Sequence, residues 1–236
     1  MGNNRPMPTL VLSCEHAVCS VPEWYRERFK DSQDVLTSHL GWDPGALNLG
    51  QAFAMKFHTP LTHGEITRLL IDLDLAPDNP RRFSDFVAGL SGDQLARMQE
   101  RHLGAYLETL RQRITSGIHV SPPVVHLSVH TFSPESGLVP PATDIVILSQ
   151  GGRPNEVLLS GAWVAALRNA APDLAISENP PYPGGSGELL PLLRQEFDPA
   201  HYLALRLDVS QSFFLNGTPW RWDKLKKLLL DTFPRA

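Results

Sequence analysis

Short apolar runs alternate along this chain with longer amphipathic segments. The apolar runs are rich in Val, Ile and Leu and mostly lack strict alternation with polar residues, which is typical of strands buried on both faces. They predict strands at 9–13, 67–73, 124–129, 144–148, 174–177 and 202–207. The amphipathic segments predict helices at 44–57, 92–116, 155–169, 187–197 and 219–232.

This alternation of strands and helices predicts an α/β fold. We expect a three-layer α/β/α sandwich with a mixed, mostly parallel central sheet. The 236 residues suit one large domain. Because the chain contains no internal repeat, low-complexity tract or linker, residues 1–236 are predicted to form a single domain.

Composition and charge narrow the class of function. The formal net charge of −4 provides no basic field to recruit nucleic acid. No apolar run approaches the roughly 20 residues that span a bilayer, and the polar N-terminus carries no signal-peptide pattern. The two cysteines are too few for a disulfide framework. We therefore expect a cytoplasmic protein with free thiols that acts on a small molecule, and not on nucleic acid or a membrane. The oligomeric state is not indicated.

Acidic residues and histidines follow five of the predicted strands. They are Glu15 and His16, Asp72 and Asp74, His130, Glu178, and Asp208. Ligands of open α/β sheets bind beyond the carboxyl ends of the strands. We therefore expect these side chains to meet at one edge of the sheet.

His16 and His130 are the first candidates for a metal site. Two histidines at neighbouring strand ends can supply two nitrogen ligands to zinc, which in a catalytic site takes a third protein ligand and keeps one open position. Glu15 and Cys19 are the preferred third ligands, and Asp43 is a weaker one. Such a zinc ion would polarise an amide carbonyl and lower the pKa of its bound water. Nine histidines can also place some at strand ends by chance.

Other polar residues allow both a structural and a functional interpretation. Arg68 lies in an apolar run and needs a carboxylate partner, either Asp72 or Asp208 of the protein or that of a ligand. Arg82 can hold a substrate carboxylate or belong to a solvated turn. His39 precedes the start of the helix predicted at 44–57, where backbone donors can bind an anion.

Two further residues have a structural interpretation. Asp43, followed by Pro44, is also predicted to cap that helix. His126 lies inside a strand and is predicted to be a packed core histidine.

Seven segments, in order along nearly the whole chain, together resemble one known family. They are 10–16, 39–46, 67–73, 82–86, 126–134, 179–182 and 202–211. The chain resembles the N-formylglutamate amidohydrolase family, which hydrolyses N-formyl-L-glutamate to glutamate and formate. The resemblance implies a phosphorylase/hydrolase-like fold, similar to that of zinc carboxypeptidases, with zinc bound by His16 and His130.

The chain departs from the family pattern at three places. Residues 74–75 and 19–20 stand where the family usually has Asn-Arg. Arg206 stands where the family carries a glutamate suited to act as the general base, and an arginine stays protonated at working pH. Asp208, two residues on, and Glu178 are the predicted replacements.

Three hypotheses follow. The first is zinc-dependent hydrolysis of the amide bond of an N-formyl or N-acyl amino acid, with Asp208 or Glu178 moving protons. The predicted substrate-binding residues are then Arg68, Arg82, Arg206, His39 and Asp72. The second is a catalytically degenerate member that binds a small anionic ligand. The third is a metal-free α/β hydrolase or phosphorylase-like enzyme with an anion cradle at 184–186 and Arg206.

Overall fold

Six strands form one mixed sheet in the computed structural model, which describes residues 9–137, 142–180, 187–215 and 219–234. The strands are β1 (Thr9–Cys14), β2 (Leu61–His63), β3 (Val124–Phe132), β4 (Ile145–Leu148), β5 (Ile176–Glu178) and β6 (Tyr202–Ser210). Their order is β2-β1-β3-β6-β4-β5. Strands β2, β1, β3 and β6 are mutually parallel, whereas β4 is antiparallel to β6 and β5 is parallel to β4. The predicted α/β fold with a mixed, mostly parallel sheet is confirmed.

The strand predicted at 67–73 is wrong. This segment consists of turns, and its backbone bonds to neighbouring loops: the amide of Thr67 donates to Ser20 O (2.8 Å) and that of Arg68 to Gly41 O (3.2 Å). Leu70 and Ile71 are fully buried. A buried loop and a buried strand give the same apolar run, so hydrophobicity alone did not separate them. The three-residue strand β2 was missed because so short a run carries no periodic signal.

The described residues contain helices at all five predicted positions, and two short helices, Gln33–Thr37 and Ser212–Leu215, were not predicted. The helices are α1 (Gln33–Thr37), α2 (Ala46–Phe57), α3 (Gly92–Met98), α4 (Ala105–Val120), α5 (Pro154–Ala170), α6 (Leu189–Glu196), α7 (Ser212–Leu215) and α8 (Pro219–Thr232). Short 3-10 turns lie at Glu23–Phe29, Pro80–Arg82 and Asp85–Val87. A π-helical segment, Gln99–Gly104, joins α3 to α4, so the helix predicted at 92–116 is continuous. In the described part of the chain, no helix is long and apolar enough to cross a membrane.

The N-terminus of α2 corrects one prediction. Its N-cap is Gly45, with φ of 88°, and no side chain caps the helix. A Cβ at Gly45 would lie 2.8 Å from the ring of Phe214, so the close approach also requires glycine. Asp43 is therefore not the helix cap, and its carboxylate is available for other contacts.

Apolar side chains fill both sides of the sheet. On one side Phe53 of α2 and Trp163 of α5 pack with Leu229 of α8. On the other side Leu110 of α4 packs with Leu193 of α6. The sheet lies between these helical layers, as in a three-layer α/β/α sandwich.

Strand direction decides which side chains can meet. His130 of β3 pairs in register with Asp208 of β6, and β1 runs parallel beside β3. The carboxyl ends of these three strands therefore share one edge. Because β4 and β5 run antiparallel to β6, β5, which ends with Glu178, has its carboxyl end directed towards the opposite edge of the sheet. The prediction that five strand ends converge is thus wrong for Glu178.

His126 is a buried core histidine, as predicted, and it makes stability depend on pH. Its ring contacts the hydroxyls of Tyr202 (2.7 Å) and Ser13 (2.9 Å). Burial lowers the pKa of His126 to about 4. The unfolded chain, with a pKa near 6.5, binds a proton that the folded protein excludes. The stability from neutral His126 is therefore present above pH 6.5 and is lost as the pH falls towards 4.

We expect the free energy of unfolding to fall by about 2 kcal/mol between pH 7 and pH 5 on account of His126 alone. A His126→Gln variant cannot bind this proton. Its free energy of unfolding should therefore fall by about 2 kcal/mol less than that of the wild type between pH 7 and pH 5. Urea unfolding of both proteins at the two pH values measures the difference. Equal pH dependence of the two proteins would contradict the assignment.

Candidate active site

Two buried histidines meet at the carboxyl edge of the sheet. His16 follows β1, and His130 lies in β3, with relative exposures of 4% and 0%. Their rings meet edge to face, with an interplanar angle of 70° and centroids 5.1 Å apart. The two side chains therefore lie together, as predicted from the sequence.

The Asp43 carboxylate faces both rings. Its Oδ2 lies 2.8 Å from His130 Nδ1 and 3.5 Å from His16 Nδ1. The backbone amide of Asp43 donates to His16 O (2.9 Å), which ties the two loops together. The other oxygen, Oδ1, accepts a hydrogen bond from Arg68.

A second carboxylate holds each imidazole from behind. His16 Nε2 lies 2.7 Å from Asp72 Oδ1, and His130 Nε2 lies 2.8 Å from Glu15 Oε2. Glu15 also accepts hydrogen bonds from Ser128 (2.7 Å). Both rings therefore direct Nδ1 towards Asp43 while Nε2 is bound elsewhere.

Charges within the cluster set the protonation of both rings. Burial and Arg206 lower the pKa of His130, but the hydrogen bonds that its ring donates to Asp43 and Glu15 outweigh them and raise this pKa to about 10. Burial also lowers the pKa of His16, yet neighbouring carboxylates raise it above its ordinary value. The neighbouring carboxylates therefore favour the protonated form of both rings when no metal ion is bound.

The carboxylates respond in the opposite direction. Burial raises the pKa of Asp43, but Arg68 and the imidazoles hold it well below its usual range. Likewise burial raises the pKa of Asp72, and His16 lowers it to about 2. Glu15 is also lowered, because its hydrogen bond with His130 outweighs burial of its carboxylate. These three groups are ionised over the whole range of working pH.

Arg206 joins two further carboxylates beside the histidines. Its Nε lies 2.8 Å from Asp208 Oδ2 and its Nη2 lies 3.1 Å from Asp208 Oδ1, so both oxygens of Asp208 are occupied. Arg206 Nη1 donates to Asp74 Oδ2. Burial raises the pKa of Asp74 despite Arg206. The predicted general base Asp208 is therefore locked in an ion pair.

The remaining predicted residues lie outside this cluster or are bound within the protein. Arg82 donates to Gln99 (2.7 Å) and to Asn79 O (2.7 Å), so it joins its own loop to the π-helical segment. Cys19 packs against the apolar cluster that contains Leu110. Its thiol belongs to neither of the two groups of described residues that could hold a metal ion. Glu178 accepts a hydrogen bond from Ser160 of α5 (2.6 Å).

Two more predictions concern neighbouring segments. His39 is half-buried, and its carbonyl oxygen accepts a hydrogen bond from Arg68 (3.1 Å). The anion cradle predicted at 184–186 lies outside the described residues.

Two supporting residues were not predicted from the sequence. Tyr106 of α4 donates to Glu15 Oε1 (2.9 Å), and nothing in an amphipathic helix pattern indicates this contact. Ser128 precedes His130 by two residues, so strand periodicity places both on one face and offered a signal. Asp43, the weaker candidate in the sequence, is the carboxylate that faces both histidines.

The donor atoms fit a zinc ion. Two groups in the described chain have ligand atoms within 4.8 Å of one another: His16, Asp43 and His130, and Glu15, Asp74 and His130. In the first group two imidazole nitrogens join one carboxylate oxygen, a set typical of catalytic zinc. His16 Nδ1 is buried without a hydrogen-bond partner among the described residues. Carboxylates behind both rings supply the outer contacts that orient metal-binding histidines.

A sequence model described as N-formylglutamate amidohydrolase matches residues 8–215. The chain belongs to the N-formylglutamate amidohydrolase family. The resemblance found in the sequence is thereby confirmed, and the match spans every residue of the cluster. No curated protein sequence is significantly similar to the chain.

Solved structures of this family's fold resemble the chain along nearly all its length. The Agrobacterium tumefaciens gene product Atu2144 superposes with a TM-score of 0.76 at 23% identity, over 95% of this chain and 90% of that protein. N-formylglutamate amidohydrolase from Ralstonia eutropha JMP134 superposes with a TM-score of 0.69 at 17% identity, over 98% and 93%. At these identities the likeness concerns the fold.

Proposed function

We propose that the chain is a zinc-dependent amidohydrolase that cleaves the amide bond of an N-formyl or N-acyl amino acid. One observation carries the proposal: His16 and His130 direct their Nδ1 atoms at the same Asp43 oxygen. Membership of the N-formylglutamate amidohydrolase family supports the hydrolytic chemistry. N-formyl-L-glutamate is the first substrate to test.

His16, His130 and Asp43 are the residues that would hold zinc. The 3.5 Å between His16 Nδ1 and Asp43 Oδ2 matches the roughly 3.4 Å that separates ligand atoms of a tetrahedral zinc site. The 2.8 Å between His130 Nδ1 and Asp43 Oδ2 is a hydrogen-bond length, as expected where a proton joins the two atoms. When bound, zinc would polarise the amide carbonyl of the substrate and lower the pKa of a bound water.

Carboxylates of the protein determine where the protons of the two imidazole rings lie. A metal-binding imidazole is neutral, so Nδ1 of each ring would have to be free of a proton in order to hold zinc. Asp72 and Glu15 keep the Nε2 protons in place and thereby fix the tautomer of both rings.

We assign proton transfer to Asp74. Both oxygens of Asp208 bind Arg206, whereas Asp74 gives Arg206 only its Oδ2. Asp74 also lies in the group with Glu15 and His130. Its Oδ1 accepts the proton of the attacking water and then passes it to the leaving amine.

Removal and return of zinc test the proposal. We expect elemental analysis to find about one zinc per chain. We also expect the protein to hydrolyse N-formyl-L-glutamate, with the reaction measured by the release of formate. Dialysis against a chelator should abolish hydrolysis, and one equivalent of zinc should restore it. Calcium is the control, because it prefers six to eight oxygen ligands. Turnover that persists in zinc-free protein would refute the mechanism.

Arg68 is the arginine best placed to hold the substrate carboxylate. Its Nη2 binds Asp43 and the His39 carbonyl, but its buried Nε has no partner in the described part of the chain. Arg82 and Arg206 are bound to protein acceptors. A carboxylate on Nε would complete the hydrogen bonds of Arg68.

An Arg68→Lys variant should raise KM for N-formyl-L-glutamate about tenfold, with a smaller change in kcat. Lysine keeps the charge but loses the planar guanidinium, at a cost of about 1.5 kcal/mol for one charged hydrogen bond. Steady-state kinetics measure the effect. Arg82→Lys is the matched control and should leave KM within about twofold. A larger KM effect from Arg82→Lys would contradict the assignment.

A second candidate function is metal-dependent ligand binding without turnover. It is favoured by Arg206, which holds both Asp74 and Asp208 where the family pattern has a glutamate base. One zinc per chain with no hydrolysis of any N-acyl amino acid would select this alternative. Turnover that depends on zinc would exclude it.

A further inference from the structure

The residues that begin helix α6 pack against Asp74, to which proton transfer is assigned. The backbone amides of Glu188 and Leu189 both donate to Asp74 O, at 2.7 Å and 3.2 Å. Leu189 is the first residue of α6, so its amide has no partner within the helix and is satisfied by Asp74 instead. The main chain of Asp74 is therefore tied to the start of α6.

Gly187, which precedes this helix start, lies directly against the Asp74 carboxylate. A Cβ at Gly187 would lie 2.2 Å from Asp74 Oδ2, 2.3 Å from Oδ1 and 2.4 Å from Cγ. Arg206 binds the same Oδ2 from another direction. Any side chain at position 187 would therefore have to displace the carboxylate of Asp74.

The Glu188 side chain holds the loop that follows Asp74. Its Oε2 accepts a hydrogen bond from the amide of Ala76 (2.9 Å), and its Oε1 accepts one from Asn79 Nδ2 (2.8 Å). The hydrogen bond from Asn79 is the main reason why the pKa of Glu188 lies below its ordinary value. The loop is thus fixed at two points by one ionised carboxylate.

Helix α6 provides a rigid support for these contacts. Leu189, Leu190 and Leu193 are buried in the apolar core on one side of the sheet. Nearer the other end of the helix, Arg194 forms a buried ion pair with Glu156 of α5 (2.9 Å). Because α6 is anchored along its length, Gly187 and Glu188 present a fixed surface to Asp74.

We propose that Gly187 and Glu188 are positioning residues that set the place of the Asp74 carboxylate for proton transfer. The inference rests on the proposed function, which assigns that step to Asp74. Gly187 limits where the carboxylate can lie, and Glu188 fixes the loop that carries it. Both act through Asp74, and a displacement of about 1 Å at a reacting group can cost about 100-fold in rate.

A Gly187→Ala variant of the zinc-loaded protein should lower kcat for N-formyl-L-glutamate about 10–100-fold, with KM and zinc affinity within about twofold of the wild type. Gly89→Ala is the matched control. Gly89 has φ of 81°, close to the 79° of Gly187, but a Cβ there would meet nothing within 4 Å. It therefore tests backbone strain alone and should leave kcat within about twofold. Unchanged kcat in Gly187→Ala, an equal loss in Gly89→Ala, or a parallel loss of zinc affinity would overturn the proposal.

Two variants of Glu188 test the second positioning residue. Glu188→Ala removes both acceptors and should lower kcat less than Gly187→Ala does, since the carboxylate of Asp74 keeps its contact with Arg206. Glu188→Gln keeps one acceptor oxygen and should restore part of the lost kcat. Equal kcat in Glu188→Ala and the wild type would remove Glu188 from the proposal.

Urea unfolding tests the contact between Gly187 and Asp74 without any need for turnover. Gly187→Ala should lower the urea midpoint more than Gly89→Ala does. In an Asp74→Ala background this excess should disappear, because the three atoms that the new Cβ would meet are gone. A wild type that hydrolyses nothing would refute the proposed function. An excess that is absent in the wild type, or that persists without the Asp74 carboxylate, would refute the positioning role.

Discussion

Replacing Asp43 by Asn is expected to lower zinc affinity more than about 100-fold and to abolish zinc-dependent hydrolysis. Loss of an outer contact to a metal ligand typically costs 10–100-fold, and Asp43 is proposed to bind the metal directly. Asparagine preserves the shape but removes the negative charge that faces His16 and His130. Competition with a chelator of known zinc affinity measures the loss.

Two controls place Asp43 within the site. Cys19→Ser should leave zinc affinity unchanged, because that thiol packs in an apolar cluster. Glu15→Gln should give an intermediate loss of about 10–100-fold, since Glu15 holds His130 from behind. If Cys19→Ser loses zinc while Asp43→Asn retains it, the proposed ligand set is wrong. Cys19, one of the two third ligands preferred from the sequence, would then bind the metal.

The histidine pair could be predicted because it depends on local pattern. β1 and β3 are recognisable as buried strands, and residues that follow parallel strands share an edge of the sheet. The register of Ser13 with Ser128 then brings His16 near His130. No contact outside these two strands is needed for that inference, so a single sequence was sufficient.

The rest of the cluster depends on contacts that no local pattern encodes. Asp43 reaches His130 across 87 positions of chain, from a loop whose path is set by tertiary packing. The 67–73 segment supplies Arg68 and Asp72 from turns rather than from a strand. The predicted position of Glu178 was wrong for a third reason. Hydrophobic periodicity does not determine the direction of β5 relative to β6.

Replacing Arg206 by Leu is expected to destabilise the protein by about 3–5 kcal/mol. Arg206 is 8% exposed and neutralises Asp74 and Asp208, which are 5% and 1% exposed. Removal of one partner from a buried ion pair leaves uncompensated charge, and that penalty exceeds the net worth of the pair. Urea unfolding at pH 7 measures the change. Arg111→Leu, which breaks a more exposed pair with Glu196, should cost no more than about 1 kcal/mol.

The origin of the penalty can be separated from the loss of side-chain packing. An Arg206→Leu/Asp74→Asn/Asp208→Asn variant contains no unpaired carboxylate at this position, so it should recover most of the lost stability. The single Arg206→Leu variant should also approach the wild type as the pH falls towards 4, because a buried carboxyl that is harder to ionise when folded gains stability from protonation. If the triple variant recovers nothing and the deficit is independent of pH, Arg206 stabilises the fold through packing.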